Sequence, residues 1–195
     1  MAVTAPYKFK RIGGTIPNIF QEKEVSMNWA HVHLLLSHLP VIGTVFGVLL
    51  LLLALWRKSE ELKRVSLGVF VLTALISLPV YFTGEPAEEM VENLPGVAES
   101  LIDKHKDAAL FALLMAGGAG IVALAGLILF RRAERLPGWV VAVALVLSLA
   151  TSGLMGWAAN LGGQIRHTEI RAGFTAPAET ETEGGQETKK EEDHE

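Results

Sequence analysis

Leu49-Leu50-Leu51-Leu52-Leu53-Ala54-Leu55 is the stretch that decides how this chain folds. Seven consecutive apolar side chains cover every side of a helix, so no face of the segment suits water. Extended in both directions, it becomes one apolar block from about Trp29 to Trp56. That exceeds the roughly 20 residues a helix needs to cross a bilayer. Three more blocks follow: Val65 to Phe82, Ala108 to Phe130 and Trp139 to Leu161. The second is the shortest and carries Pro79 near its end, where a kink or early stop is tolerable. The expected fold is therefore all-α, an integral membrane four-helix bundle over residues 29–171. A polar segment, 1–28, precedes it; it has no apolar core and does not read as a signal peptide. Residues 172–195 read as a disordered acidic tail, rich in Glu, Thr and Gly without hydrophobic spacing.

Composition agrees with this reading. Half of the 195 residues are apolar, and they are gathered into blocks rather than spread evenly. The absence of cysteine removes disulfides, thiolate metal sites, c-type haem attachment and cysteine-ligated iron–sulfur clusters. The net charge of −4 decides little, because the charges are segregated. Arg57, Lys58, Lys63 and Arg64 lie in the first connection, and Arg131, Arg132 and Arg135 in the third. Short basic connections face the cytoplasm, which puts the acidic second connection (Glu85, Glu88, Glu89, Glu92, Glu99, Asp103) outside. Both termini then lie on the outer, periplasmic side of a bacterial inner membrane. Lys8, Lys10, Arg11 and Lys23 dissent, but the first three sit roughly 18 or more residues from the first span, where the rule weakens.

Small residues suggest where helices touch. Gly43 and Gly47 mark the first helix, Gly153 and Gly156 the fourth, and Ala108, Ala112, Ala116, Ala119 and Ala123 form a stripe on the third. Ser66, Thr73, Ser77 and Tyr81 form a polar stripe on the second, expected to face inward. Such stripes serve as packing seams, or clear room for a flat cofactor.

The candidate chemistry lies in the histidines. His31, His33, His38, His105 and His167 all fall toward the outer face of the expected topology, while His194 sits in the tail. Counted from the cytoplasmic ends at 1.5 Å per residue, His31 and His105 share a level, with His33 roughly 3 Å deeper and His38 about 10 Å deeper than His31. His38 stands two turns inside an apolar span, where an unpartnered imidazole carries a cost of about a few kcal/mol. Several imidazoles meeting in a four-helix bundle suit non-covalently held haem b, one or two groups, with His38 and His105 the leading iron ligands and His31, His33 and His167 following. On the fourth helix Gly156, Asn160, Gly163 and His167 share a face against which a flat ring can lie, and Arg166 and Arg171 are placed to pair with propionates. Zinc or copper is the rival use of imidazole. His31-x-His33 is nevertheless a weak chelate on a helix, because its two side chains point to nearly opposite faces.

Absences narrow the classes. No Asp, Glu, Lys or Arg lies inside an apolar block, unlike ion pumps and proton-coupled transporters. No Ser-His-Asp, HExxH or phosphate-loop pattern occurs, so no catalytic residue is assigned.

His33-Leu34-Leu35-Leu36-Ser37-His38-Leu39-Pro40-Val41 resembles the His-Pro-x-x-Val-His-Phe-Pro start of a widespread family of uncharacterised bacterial four-helix membrane proteins. Thr83-Gly84 and His105 are similar to it as well. His33, His38, Pro40, Gly84 and His105 match residue by residue, whereas Leu34 stands where that family has proline, and the stretch after Gly162-Gly163 departs from it. The resemblance spans about Trp29 to Arg171 and implies a four-helix membrane fold.

Together these readings point to a small b-type-cytochrome-like electron-transfer subunit with a bis-His haem near the outer face, linking a redox partner to the membrane quinone pool. The expected partners are the lipid bilayer, other subunits of a redox complex and quinone, with no nucleic acid. The alternatives are a cofactor-free anchor or assembly subunit of a respiratory complex, and a zinc- or copper-binding membrane protein.

Overall fold

A computed structural model describes residues 28–175. The N-terminal segment before Asn28, and the tail beyond Thr175 with His194, lie outside the described residues. Five α-helices and one 3₁₀ turn follow in order: α1 (Trp29–Trp56), α2 (Glu60–Phe82), α3 (Gly84–Glu89), α4 (Glu99–Leu129), α5 (Gly138–Arg166) and the turn Thr168–Ile170. Asn28 starts α1 by accepting the His31 N–H on its side-chain oxygen at 2.9 Å, and Ser59 starts α2 by accepting the Leu62 N–H at 3.3 Å. Except for the short α3, every helix is long and apolar enough to cross a membrane. α2, α4 and α5 continue past their apolar blocks into polar turns. Apolarity marks what lipid tolerates, whereas a helix ends only where its backbone bonding ends.

The four long helices form a ring. α1 packs on α2, α2 on α4 and α4 on α5, while α5 closes on α1 more thinly. Only about a third of each span is buried inside the protein (28–33%), so most of each helix surface is left for lipid. Leucines and aromatics fill that outer surface, with Trp56 (81% exposed) and Trp139 (64%) standing at the arginine-bearing end, as interfacial aromatics do. The protein is thus an all-helical, multi-pass membrane protein.

The largest core cluster lies toward the arginine-bearing end, around Leu51, Leu67, Phe70, Ala123, Val140 and Ala144. Toward the histidine end the core thins to alanines, Met155 and Leu161. The alanine stripe of α4 is buried from Ala108 to Ala123, as its spacing predicts. Gly47 has the same role on α1: a Cβ there would stand 2.5 Å from the Phe70 ring. The expected contact at Gly153 and Gly156 is not found. Both are exposed, and a Cβ on either would meet nothing within 4 Å. The buried stripe of α5 instead runs through Ser148, Thr151, Met155, Ala158 and Leu161. Ser66, Thr73 and Ser77 of the α2 polar stripe are buried, and Tyr81 stays at the rim, 37% exposed.

Charged side chains tie the arginine-bearing end together. The Arg64 guanidinium donates to the carbonyls of Phe130 (3.1 Å) and Ala133 (2.7 Å) in the α4–α5 connection. Glu60 accepts the Leu136 N–H at 2.9 Å and pairs with Lys63 at 2.6 Å.

Candidate functional site

A run of small or polar residues at alternating spacings of four and three sets which side of α1 faces the bundle. It reads His33, Ser37, Pro40, Thr44 and Gly47 and is continued at the same spacing by the core residue Leu51, and none of the six is exposed. His33 therefore points inward, toward the end of α2. There its Nδ1 lies 3.1 Å from the Val80 carbonyl and 3.0 Å from Thr83 Oγ1. Thr83 itself donates to the Val80 carbonyl at 2.8 Å, so the C-terminal turn of α2 presents a fixed set of oxygens.

His105 reaches the same region from α4. Its position follows from the alanine stripe, which it continues by one turn. Its Nδ1 lies 2.8 Å from the Ala158 carbonyl of α5. The ring lies against Gly162, where a Cβ would stand 3.1 Å from Cε1 and 3.3 Å from Nδ1. Any larger residue at 162 pushes on the imidazole, so glycine leaves the ring room.

The two imidazoles come together with ring centres 6.4 Å apart and planes at 90°. A carbonyl oxygen only accepts, so the ring nitrogen facing it carries the proton. Nδ1 is then the N–H of both neutral rings, and both Nε2 atoms retain a lone pair. An Nδ1–H tied to a backbone carbonyl, with Nε2 left as donor, is the arrangement that orients metal-ligating histidines. The pair therefore offers two imidazole nitrogens, the donor type that metal ions and haem take up. A Cβ at Gly84 would lie 3.7 Å from His33 Cε1, an ordinary van der Waals contact, so this glycine borders the His33 ring without being required by it.

The other expected site residues lie elsewhere. His38 is exposed on the outer side of α1, and its Nδ1 donates to the carbonyl of Leu34 in its own helix at 2.6 Å. Five residues separate it from His33, about 140° around the helix at 3.6 residues per turn, so one inward face cannot hold both. Of the expected leading ligands, His38 with His105, His38 is thus turned away, and the histidine beside His105 is His33. His31, two residues before His33, is exposed for the same reason. His167 is exposed beyond the end of α5, its Nδ1 2.8 Å from Glu169 Oε1. The Glu169 carboxyl is held below its usual range by its own backbone N–H and then by His167. Arg166 is exposed. Arg171 is occupied: it donates to the carbonyls of Gln164 (2.8 Å) and Ile165 (3.0 Å), and to that of Gly96 at 2.8 Å. It thereby caps α5 and fastens it to the α3–α4 connection. Among the described residues, no three His, Asp or Glu side chains gather into a metal-binding group.

Sequence reasoning did not find Thr83, the Ala158 carbonyl or Gly162 as the partners that set the two rings. The four-and-three spacing from His33 to Leu51 is the signal that separates His33 from His38.

Neither a curated protein nor a solved structure matches the chain. One protein-family model does, described as a domain of unknown function (DUF389), and it covers residues 37–167. The match takes in the four long helices and His105 but begins after His33. It extends over more than half of the 195 residues. On the strength of that match, the chain belongs to the DUF389 family.

Proposed function

We propose that the protein is a small b-type-cytochrome-like electron-transfer subunit in which His33 and His105 would hold one haem. One observation carries the reading: two imidazoles from different helices stand with ring centres 6.4 Å apart, each with Nδ1 held by an oxygen of a neighbouring helix. Bound there, haem b supplies reversible one-electron chemistry at its iron. The chain's part is to orient. Val80 and Thr83 fix the His33 ring, Ala158 fixes the His105 ring, and Gly162 leaves the His105 ring room. The positive-inside distribution of arginines supports an outer position for this end of the bundle, where a redox partner and membrane quinone would reach it.

A purified sample gives the test: a reduced-minus-oxidised visible spectrum, a pyridine haemochrome assay and metal analysis. Expected are stoichiometric haem b, its loss in His33→Ala and His105→Ala with each variant still monodisperse in detergent, and its retention in His38→Ala. Haem kept by both single variants overturns the assignment, as does colourless protein from haem-replete cells.

A second reading has its own observation. His33 already joins α1 to α2 and His105 joins α4 to α5 through hydrogen bonds. In a cofactor-free anchor subunit, these are interhelical clamps. Colourless, metal-free protein that melts lower when either histidine is removed selects it.

A further inference from the structure

The α1–α2 connection holds a residue that its backbone does not favour. Lys58 has a φ of 52°, in the left-handed region that residues with a Cβ enter at a cost. Among the described residues, every other positive φ belongs to a glycine. The cause is the way α1 ends. The Lys58 N–H donates to the Leu55 carbonyl and the Ser59 N–H to that of Ala54, the paired bonding of a helix stop whose left-handed position is usually glycine. Glycine would close this turn more easily, so lysine there needs a reason in its side chain.

The positive-inside bias does not supply that reason, because it counts charges over a connection and is indifferent to which residue carries them. The surroundings do. Arg64 donates to the carbonyls of Phe130 and Ala133, and Glu60 accepts the Leu136 N–H, so the two basic connections are fastened into one surface. Over residues 57–64 and 131–136 that surface has seven Lys and Arg against three Glu. Lys63 and Arg64 are used within the protein. Arg57, Lys58, Arg131, Arg132 and Arg135 are exposed, and none takes part in an ion pair among the described residues. Trp56, beside Arg57, and Trp139, one turn beyond Arg135, stand exposed at the same end, at the depth where lipid headgroups begin. Free cations at that depth meet phosphate.

We infer that the surface formed by Arg57, Lys58, Arg131, Arg132 and Arg135 binds the phosphate of an anionic membrane lipid. Arginine forks onto phosphate oxygens, and lysine adds a point charge. A zwitterionic lipid brings the same phosphate with a cation of its own, so net charge is what the surface selects. The site lies at the opposite end of the bundle from the histidine pair and does not depend on the proposed function.

The test uses the full chain in phosphatidylcholine bilayers, with a trace of spin-labelled phosphatidylglycerol or of phosphatidylcholine with the same acyl chains. A larger motionally restricted fraction is expected for phosphatidylglycerol, shrinking as salt rises. Lys58→Gly separates charge from fold. It is expected to weaken the preference about two- to fivefold at low salt, while melting no lower than the parent, because glycine suits that turn. Arg131→Gln with Arg132→Gln, away from the turn, is expected to weaken it as well. Equal restriction of the two lipids overturns the inference, as does a preference left unchanged by either variant. Inorganic phosphate that raises the melting temperature in phosphatidylcholine bilayers, beyond chloride at equal ionic strength, makes this a site for free phosphate and overturns it too.

Discussion

An imidazole whose Nδ1 is tied to a carbonyl has a single nitrogen left to offer, and its ring cannot turn without breaking that tie. His33 and His105 are both in this state, which makes Gly162 a sensitive position. Gly162→Val is expected to displace the His105 ring and cost about 1–3 kcal/mol through overpacking. Gly162→Ala should cost less, because the ring edge need give by only a few tenths of an ångström. Thermal unfolding in detergent and the ¹⁵N shifts of His105 check both effects. The exposed His167–Glu169 pair is the contrast: His167→Ala should leave the melting temperature unchanged, since exposed ion pairs contribute little. The divergence of His31 from His33 was legible in the sequence, because it needs only the helical repeat. The outward turn of His38 was not. α1 is apolar almost all round, so hydrophobicity carries no record of which side faces the bundle. That record is held by Pro40, Thr44 and Gly47, small or polar residues whose message is spacing.

At the scale of helices, glycines on α1 and α5 look alike in sequence and have opposite surroundings. Gly47→Ala drives a methyl into Phe70, which is only 2% exposed and has little room to yield. A loss of about 1–3 kcal/mol is expected from this overpacking. Gly153→Ala adds a methyl in open space and should be neutral or gain up to about 1 kcal/mol from helix propensity. Unfolding of the two variants side by side checks the pair. The existence of four spans was readable because twenty apolar residues in a row have few other uses. The α4 seam was readable because five alanines kept one phase. The α5 seam was not: glycine permits a close approach but does not require one. At the end of α5, Arg171→Ala removes hydrogen bonds to three carbonyls. Hydrogen exchange is expected to quicken over residues 164–171 and around Gly96, with the centres of the spans unaffected.

For the molecule as a whole, the parity of the spans fixes which connections share a side. Single cysteines in place of Lys58 and Glu134 should react with a membrane-impermeant thiol reagent from the same side, and a cysteine in place of Asn93 from the other. Lys58 and Glu134 reacting from opposite sides would remove a span from the bundle and separate the two histidines. The sense of the whole bundle in the membrane is legible only from arginine placement, because packing is indifferent to which side is which.

Arg64 and Glu60 begin α2, yet the carbonyls of Phe130 and Ala133 and the N–H of Leu136 that complete them belong to a stretch made some 70 residues later. A ribosome therefore releases the α1–α2 hairpin with the guanidinium of Arg64 still lacking those carbonyls. The second hairpin acts as its latch when it arrives.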